Sequence, residues 1–487
     1  MVVLLLIELA LRIRFPWDLM LRCESSFMTT MLKLHNGQPL FGPIADANNS
    51  VASPALSYVT FAVLRPLGLD LDIRWCRLVT ILAGMAAAAC AASTITRLST
   101  AERDRYGFAF AFGVAMLLIF KNFTADVPHP DNWLALHAVA TLLLCGRALA
   151  KRSPALATAA LMFASAGALI GLEAAPAPLG ALAAVLLGNR WEWKTTMVLI
   201  VVTLVSWSAA LSILLVPSDS SWVVFNLSLG RGFDVTSLWL LAYEFARGHY
   251  LILASLAIPC FVDLVARREP ACRRFILIWC CVGLAEILPA VPAYLIKMVP
   301  ADGLAVTALW LFLVVWACVW SAAPRDEVGT TFGVLRLTAT VLLLLALVPV
   351  RFPPAQSAYE YGERLDRAVA ADVRAGKRVL LARGTSPLIR AGVTSVPLDR
   401  ADTVSLLWLS GSGGRLAATN ERFQHHAYDR IYDIGDGYGL AAAMRAAYQP
   451  VDHWPAPDFF ARNVGRPWGY VFGFDDGMQD VVVLEPR

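Results

Sequence analysis

Five carboxylates and a histidine stand at the edges of apolar runs, where an ionised group is costly and marks function. Asp18 and Glu24 follow the first run, in "FPWDLMLRCESSFMTTMLKLHNGQPLFGP" (Phe15 to Pro43). Asp126, His129 and Asp131 fall within six residues of "KNFTADVPHPDNWLALH" (Lys121 to His137), and Glu173 occupies the tight turn "GLEAAPAP". A carboxylate within hydrogen-bond reach of a hydroxyl can take its proton as the oxygen attacks an electrophile. Glu24 is the first candidate for that work, with Asp131 and Asp18 behind it; His129 and Glu173 are candidate substrate contacts. A blander account gives Glu24 to the dipole of the helix it opens, makes Asp131 a helix N-cap before Asn132-Trp133, and pairs Glu173 with an interior cation. The Asp126, His129, Asp131 spacing also suits two ligands of a divalent ion, the one cofactor the chain suggests. Anionic substrates need cations. Lys297, Arg231 and Arg247 are the candidates for clamping a lipid phosphate, and Lys297 is the sharpest, fixed between two prolines in "VPAYLIKMVPADG". Each of them alone also reads as a basic side chain reaching for the membrane surface.

The elements that must position these groups are membrane helices. Of 487 residues 58% are hydrophobic and only 16% charged, against about 25% charged in soluble domains. A net charge of +4 without a basic stripe excludes a nucleic-acid partner. The nine cysteines lie mostly in apolar runs, none follows Cys318, and there is no CxxC pair; neither a disulfide framework in the C-terminal region nor a thiolate zinc site is expected. The wealth of Ala and Arg points to a GC-rich bacterial genome. The first run, Val2–Ile13, has no basic leader and no small-residue cleavage site, so it is not read as a signal peptide.

With that first run, eleven apolar runs are expected to span: Cys76–Ile95, Tyr106–Phe120, Trp133–Leu149, Ala155–Leu172, Ala174–Leu187, Thr195–Val216, Val235–Val265, Phe275–Pro289, Leu304–Ala322 and Phe332–Val350 follow. Alternate loops are basic (Arg97, Arg103, Arg105; Arg147, Lys151, Arg152; Arg190, Lys194; Arg267, Arg268, Arg273, Arg274; Arg325). The positive-inside rule puts these in the cytoplasm. The N-terminus is then inside, and Asp18, Glu24 and everything after Val350 are outside. This works only if Pro54–Gly68 lies along the interface, so the first outer loop carries two interfacial helices, Glu24–Asn36 and Pro54–Leu67. Residues 1–350 form the membrane domain. From Arg351 to the end, "GERLDRAVAADVRAGKRVLLARG" reads as amphipathic helix, glycine turn and strand, "YVFGF" and "DVVVLEP" as further strands, and "GDGYG" and "FDDGM" as turns. Residues 351–487 thus read as a small soluble α/β domain.

The chain resembles the GT-C superfamily of membrane glycosyltransferases, in particular bacterial members related to the lipid A aminoarabinose transferases and mannosyltransferase-like proteins. The resemblance rests on Glu24 opening a helix that ends "MLKLHNGQPLFGP", on the proline-led "SPALSYVTFAVLRPLG", and on the second-loop "HPDNWLAL". It implies a polyprenyl-phosphate-linked sugar as donor, a periplasmic glycan, lipid or protein as acceptor, a bacterial inner-membrane setting, Glu24 as general base and Asp131 as second-loop acid. Many members carry adjacent Asp-Glu in the first loop, where this chain has Cys23-Glu24. Single displacement would invert the sugar carbon. The competing class is a transporter or lipid-handling scaffold without chemistry. Glu286, inside an apolar run, suits it; the lack of an internal repeat and of paired broken spans does not.

Overall fold

A computed structural model describes residues 2–19, 21–40, 54–98, 105–121, 127–171, 174–215, 270–295, 354–381, 384–393, 417–434, 441–456 and 480–487. The apolar runs that fall on them are helices: α1 Val2–Arg14, α2 Leu21–His35, α3 Pro54–Leu64, α4 Ile73–Leu98, α5 Arg105–Lys121, α6 Asp131–Lys151, α7 Pro154–Ala166, α8 Ala177–Gly188, α9 Trp193–Leu215 and α10 Pro270–Leu295. Three are long and apolar enough to cross a membrane: Ile73–Thr96, Asp131–Lys151 and Trp193–Ile213. The protein is a polytopic helical membrane protein. The expected spans Val235–Val265, Leu304–Ala322 and Phe332–Val350 lie outside the described residues.

Two boundaries differ most from expectation. The run ending at Pro289 continues as helix to Leu295; proline is tolerated inside membrane helices, where neighbours re-satisfy the freed backbone groups. The run Ala155–Leu172 leaves the α-helix at Ala166 and tightens into a 3-10 turn, Gly167–Leu169. The segment expected as the second interfacial helix is α3 plus a 3-10 turn, Arg65–Leu67, stopped by Gly68 at φ +68°. At about 1.5 Å per residue, this stretch is too short to span.

Small residues let the bundle close. α4 buries Ala87, Ala88, Ala91 and Ala92 against Ala111 and Ala115 of α5 and Ala135 and Val139 of α6. Without a hydrophobic drive in lipid, this close van der Waals approach does the holding. α8 meets α10 the same way: a Cβ on Gly180 would lie 2.5 Å from the Cys281 carbonyl oxygen.

Beyond residue 354 the chain forms α11 Gln356–Arg374, β1 Val379–Leu381, α12 Ser386–Arg390, α13 Ala417–Gln424, β2 Arg430–Ile434, α14 Ala441–Ala447, β3 Tyr448–Trp454 and β4 Val481–Pro486. The sheet order is β1-β2-β4-β3; β1 and β2 are parallel, and the other pairs are antiparallel. The two-residue alternation of strands splits the sheet cleanly. Leu381, Tyr432, Ile434, Val481 and Val483 face α11, which answers with Ala358, Tyr361, Leu365 and Val369. Leu380, Ile431 and Leu484 face the other way, onto Phe423, Met444 and Tyr448. The core under α11 also takes in Phe15, Trp17 and Leu19 from the turn after α1. The strands β1 and β4 stand where the sequence put them; "YVFGF", "GDGYG" and "FDDGM" lie outside the described residues.

Candidate active site

The turn between α1 and α2 carries Asp18, and the first turn of α2 carries Glu24. Both are buried, at 4% and 0% exposure. What holds Glu24 is Arg77, in the second turn of α4 and itself fully buried. Its Nε donates to Glu24 Oε1 (2.6 Å) and its Nη2 to Oε2 (3.0 Å), a two-point fork. The other N–H groups go to main-chain carbonyls: Nη1 to Arg12 (3.2 Å) and Phe15, Nη2 to Trp17 (2.5 Å). These are the carbonyls that α1 leaves exposed at its C-terminal end and in the turn beyond. Glu24 Oε2 also accepts from the Leu19 N–H. One guanidinium thus caps a helix, shapes the following turn and fixes a carboxylate.

Arg77 was not among the residues singled out from the sequence. The available signal was a cation inside "RWCRLVTIL": an arginine just within an apolar run must find partners.

The second-loop residues sit on the same end of α4. Asn132 Nδ2 donates to the Thr80 carbonyl (2.9 Å), one turn on from Arg77, and Trp133 packs onto the cluster of Phe27, Met28, Met31 and Cys76. Asp131 is the first residue of α6, with Pro130 in the N-cap position. Its carboxylate therefore does not cap; it lies 2.6 Å from His129 Nδ1, with Asp131 buried and His129 partly open. Among the described residues no group of three or more His, Cys, Asp or Glu side chains is placed to hold a metal ion. Asp126, the third expected ligand, lies outside the described residues, as do Glu173, Lys297, Arg231 and Arg247 and the side chain of Glu286.

Asp18 faces the C-terminal sheet. It accepts from Ser386 Oγ (3.1 Å) and lines a small cavity with Trp17, Tyr361, Leu365, Gly384, Pro387 and Ile434. Burial, and then the charge of Glu24, push its carboxyl up to about 7; Arg77, Ser386 and Arg390 pull the other way. Beside it, Gly384 N–H donates to Ser25 Oγ (3.0 Å), and Thr385 Oγ1 donates to the Ser25 carbonyl (3.2 Å) and meets Thr29 Oγ1 (2.8 Å). Trp17 closes the contact. Its Nε1 donates to Asp366 (3.1 Å), and Arg390 lies over its ring while bridging Asp366 and the Pro16 carbonyl.

The arrangement sets Asp18 and Glu24 beside the first turns of α4, under a hydroxyl-rich segment from the sheet, and ties Asn132, next to Asp131, to the same stretch of α4. Such a constellation can hold, move and charge-balance a proton.

No family model and no curated protein matches the chain in sequence. Among solved structures, ArnT from Cupriavidus metallidurans in the apo state aligns with 99% of this chain and 96% of its own at TM-score 0.54 and 14% identity. The same protein bound to undecaprenyl phosphate aligns at TM-score 0.46 and 15% identity, over 88% of this chain and 79% of its own. The archaeal oligosaccharyltransferase AglB from Archaeoglobus fulgidus aligns at 0.46 and 11%, over 91% and 70%. At such identities the likeness is one of fold, and the apo ArnT match carries it. The chain thus has the fold of ArnT over nearly its whole length, which is the architecture the sequence resemblance led one to expect.

Proposed function

We propose that the protein is a glycosyltransferase of the bacterial inner membrane that moves a sugar from a polyprenyl-phosphate carrier to a glycan, lipid or protein acceptor on the periplasmic face, with inversion. The observation that carries this reading is that the Glu24 and Asn132 side chains, the latter next to Asp131, are both tied to the first turns of α4, at Arg77 and at the Thr80 carbonyl, in a chain that follows the apo ArnT fold nearly end to end. The basic residues after α4, α6 and α8 lie at the opposite helix ends, which supports a cytoplasmic side there and a periplasmic side for the carboxylates, α3 and the sheet.

Glu24 takes the acceptor proton. In the described arrangement Glu24 is fully buried, so base action requires the site to open to the acceptor. An anionic phosphate is the natural competitor for a guanidinium; donor entry draws Arg77 toward the phosphate and opens Glu24 to the acceptor. Asp131 orients His129 toward the same space. The phosphate is clamped by at least one of Lys297, Arg231 and Arg247, with Lys297 first. A divalent ion on Asp126, His129 and Asp131 would neutralise the same charge, and chelation during the assay separates the two versions.

The test is transfer from a polyprenyl-phosphate sugar by the purified protein in lipid. Glu24→Gln and Asp131→Asn should each lose about 10²-fold or more in turnover, the usual worth of a positioned base or charge stabiliser, while remaining folded. A Glu24→Gln variant at near wild-type rate removes the base assignment. A wild-type protein that exchanges lipid across vesicles but transfers no sugar replaces the reading with transport.

A further inference from the structure

The stretch Gly384–Ser386 that leaves β1 is seated on the first loop and α2 by hydroxyl and backbone hydrogen bonds, with one acid in the seam. Gly384, Thr385 and Ser386 meet Ser25, Thr29 and Asp18. We propose that Asp18 and Ser386 form a proton-operated latch: with Asp18 neutral the segment stays seated on α2, and with Asp18 ionised it lifts and uncovers the helix that carries Glu24.

The geometry supports this from every side. Asp18 is buried, and among the described residues no salt bridge reaches it. From α4, Arg77 is spent on Glu24 and on three carbonyls. From α12, Arg390 is spent on Asp366 and the Pro16 carbonyl. From α2, Glu24 adds negative charge; from α11 and β2 the neighbours are Tyr361, Leu365 and Ile434. A lone carboxylate in such a seam is costly when ionised and cheap when neutral. Gly384 sits at φ +93°, and a Cβ there would lie 3.4 Å from Asp18 Oδ2, so the chain approaches the acid closely.

The sign follows from linkage. The seated state raises the acid to about 7, whereas a released Asp18 returns to about 3.9. Seating therefore binds a proton. It is tightest at low pH and is lost as pH rises toward about 7, with the opening constant growing about tenfold per unit in between and levelling above. From pH 5 to pH 8 this amounts to about 10²-fold.

The latch stands whatever reaction the protein carries out, and its readout is not turnover. Hydrogen exchange of the 384–393 amides in the full-length protein in lipid, corrected for the intrinsic rate at each pH, reports the opening constant. Wild type should show the rise of about 10²-fold between pH 5 and 8. Asp18→Asn keeps the shape without the charge and should be flat. Ser386→Ala removes a donor that favours the ionised acid and should move the plateau to higher pH, which keeps the test decisive where the Asn variant does not fold. A flat wild-type profile, or the same rise in both variants, overturns the latch.

Discussion

Replacing Arg77 by Met tests whether one side chain organises this end of the molecule. The variant keeps much of the aliphatic stem and loses all five N–H groups. Glu24 then keeps its charge, at 0% exposure, with the Leu19 N–H still donating to it; the carbonyls of Phe15 and Trp17 lose the guanidinium, while that of Arg12 keeps the Phe15 N–H. Removing one member of a buried pair costs about 3–5 kcal/mol, because the other is left as an uncompensated charge. The Phe15 and Trp17 carbonyls add about 1–3 kcal/mol each where water cannot reach them. The lower ends of these ranges put Arg77→Met at about 5 kcal/mol or more. Glu24→Gln in the same background removes the stranded charge and should restore about 2 kcal/mol or more. The assay is a double-mutant cycle on equilibrium unfolding in one detergent. A cost below about 1 kcal/mol for Arg77→Met, or additive single and double variants, would refute the account of Arg77 as the partner that makes a buried Glu24 tolerable.

Other outcomes follow from packing. Gly362→Ala places a methyl 2.3 Å from the Trp17 indole; the ring is held by Asp366 and Arg390, so α11 must back away, at about 1–3 kcal/mol, and limited proteolysis should cut the 354–393 region faster. Gly180→Ala drives a Cβ to 2.5 Å from the Cys281 carbonyl, and because backbone cannot rotate away, α8 and α10 should separate and the thermal midpoint in detergent should fall. Arg390→Lys loses the paired contact to Asp366 but keeps a cation near Trp17; it should weaken seating of α12 less than Arg390→Ala, as read by exchange of the same amides.

Much of the helical fold was legible because the apolar runs are long and punctuated by basic loops, and hydropathy alone sets such boundaries within a few residues. The errors have local causes. Pro289 reads as a stop, yet α10 runs past it to Leu295, as membrane helices allow. In the sheet, β4 was visible as "DVVVLEP", but β2, "RIYDI", mixes charges into a buried strand, and β3, "YQPVDHW", carries a proline and five exposed residues. Neither shows the apolar alternation that marks a strand on sequence. The carboxylates were legible as misfits in an apolar chain. Their partners were not: Arg77 is 53 residues from Glu24 and Ser386 is 368 from Asp18, and no local pattern announces a contact at that range.

The way Arg77 spends its hydrogen bonds has a consequence for how this sequence can drift. Three go to peptide carbonyls, which every amino acid supplies. Side chains at positions 12, 15 and 17 can therefore be exchanged without touching this tie, whereas inserting or deleting a single residue between them would carry a carbonyl out of reach. The constraint falls on the number of links between α1 and α2 and leaves their chemical identity free. Descendants of such a chain would keep their spacing long after their letters had changed, which is how a fold can persist at 14% identity.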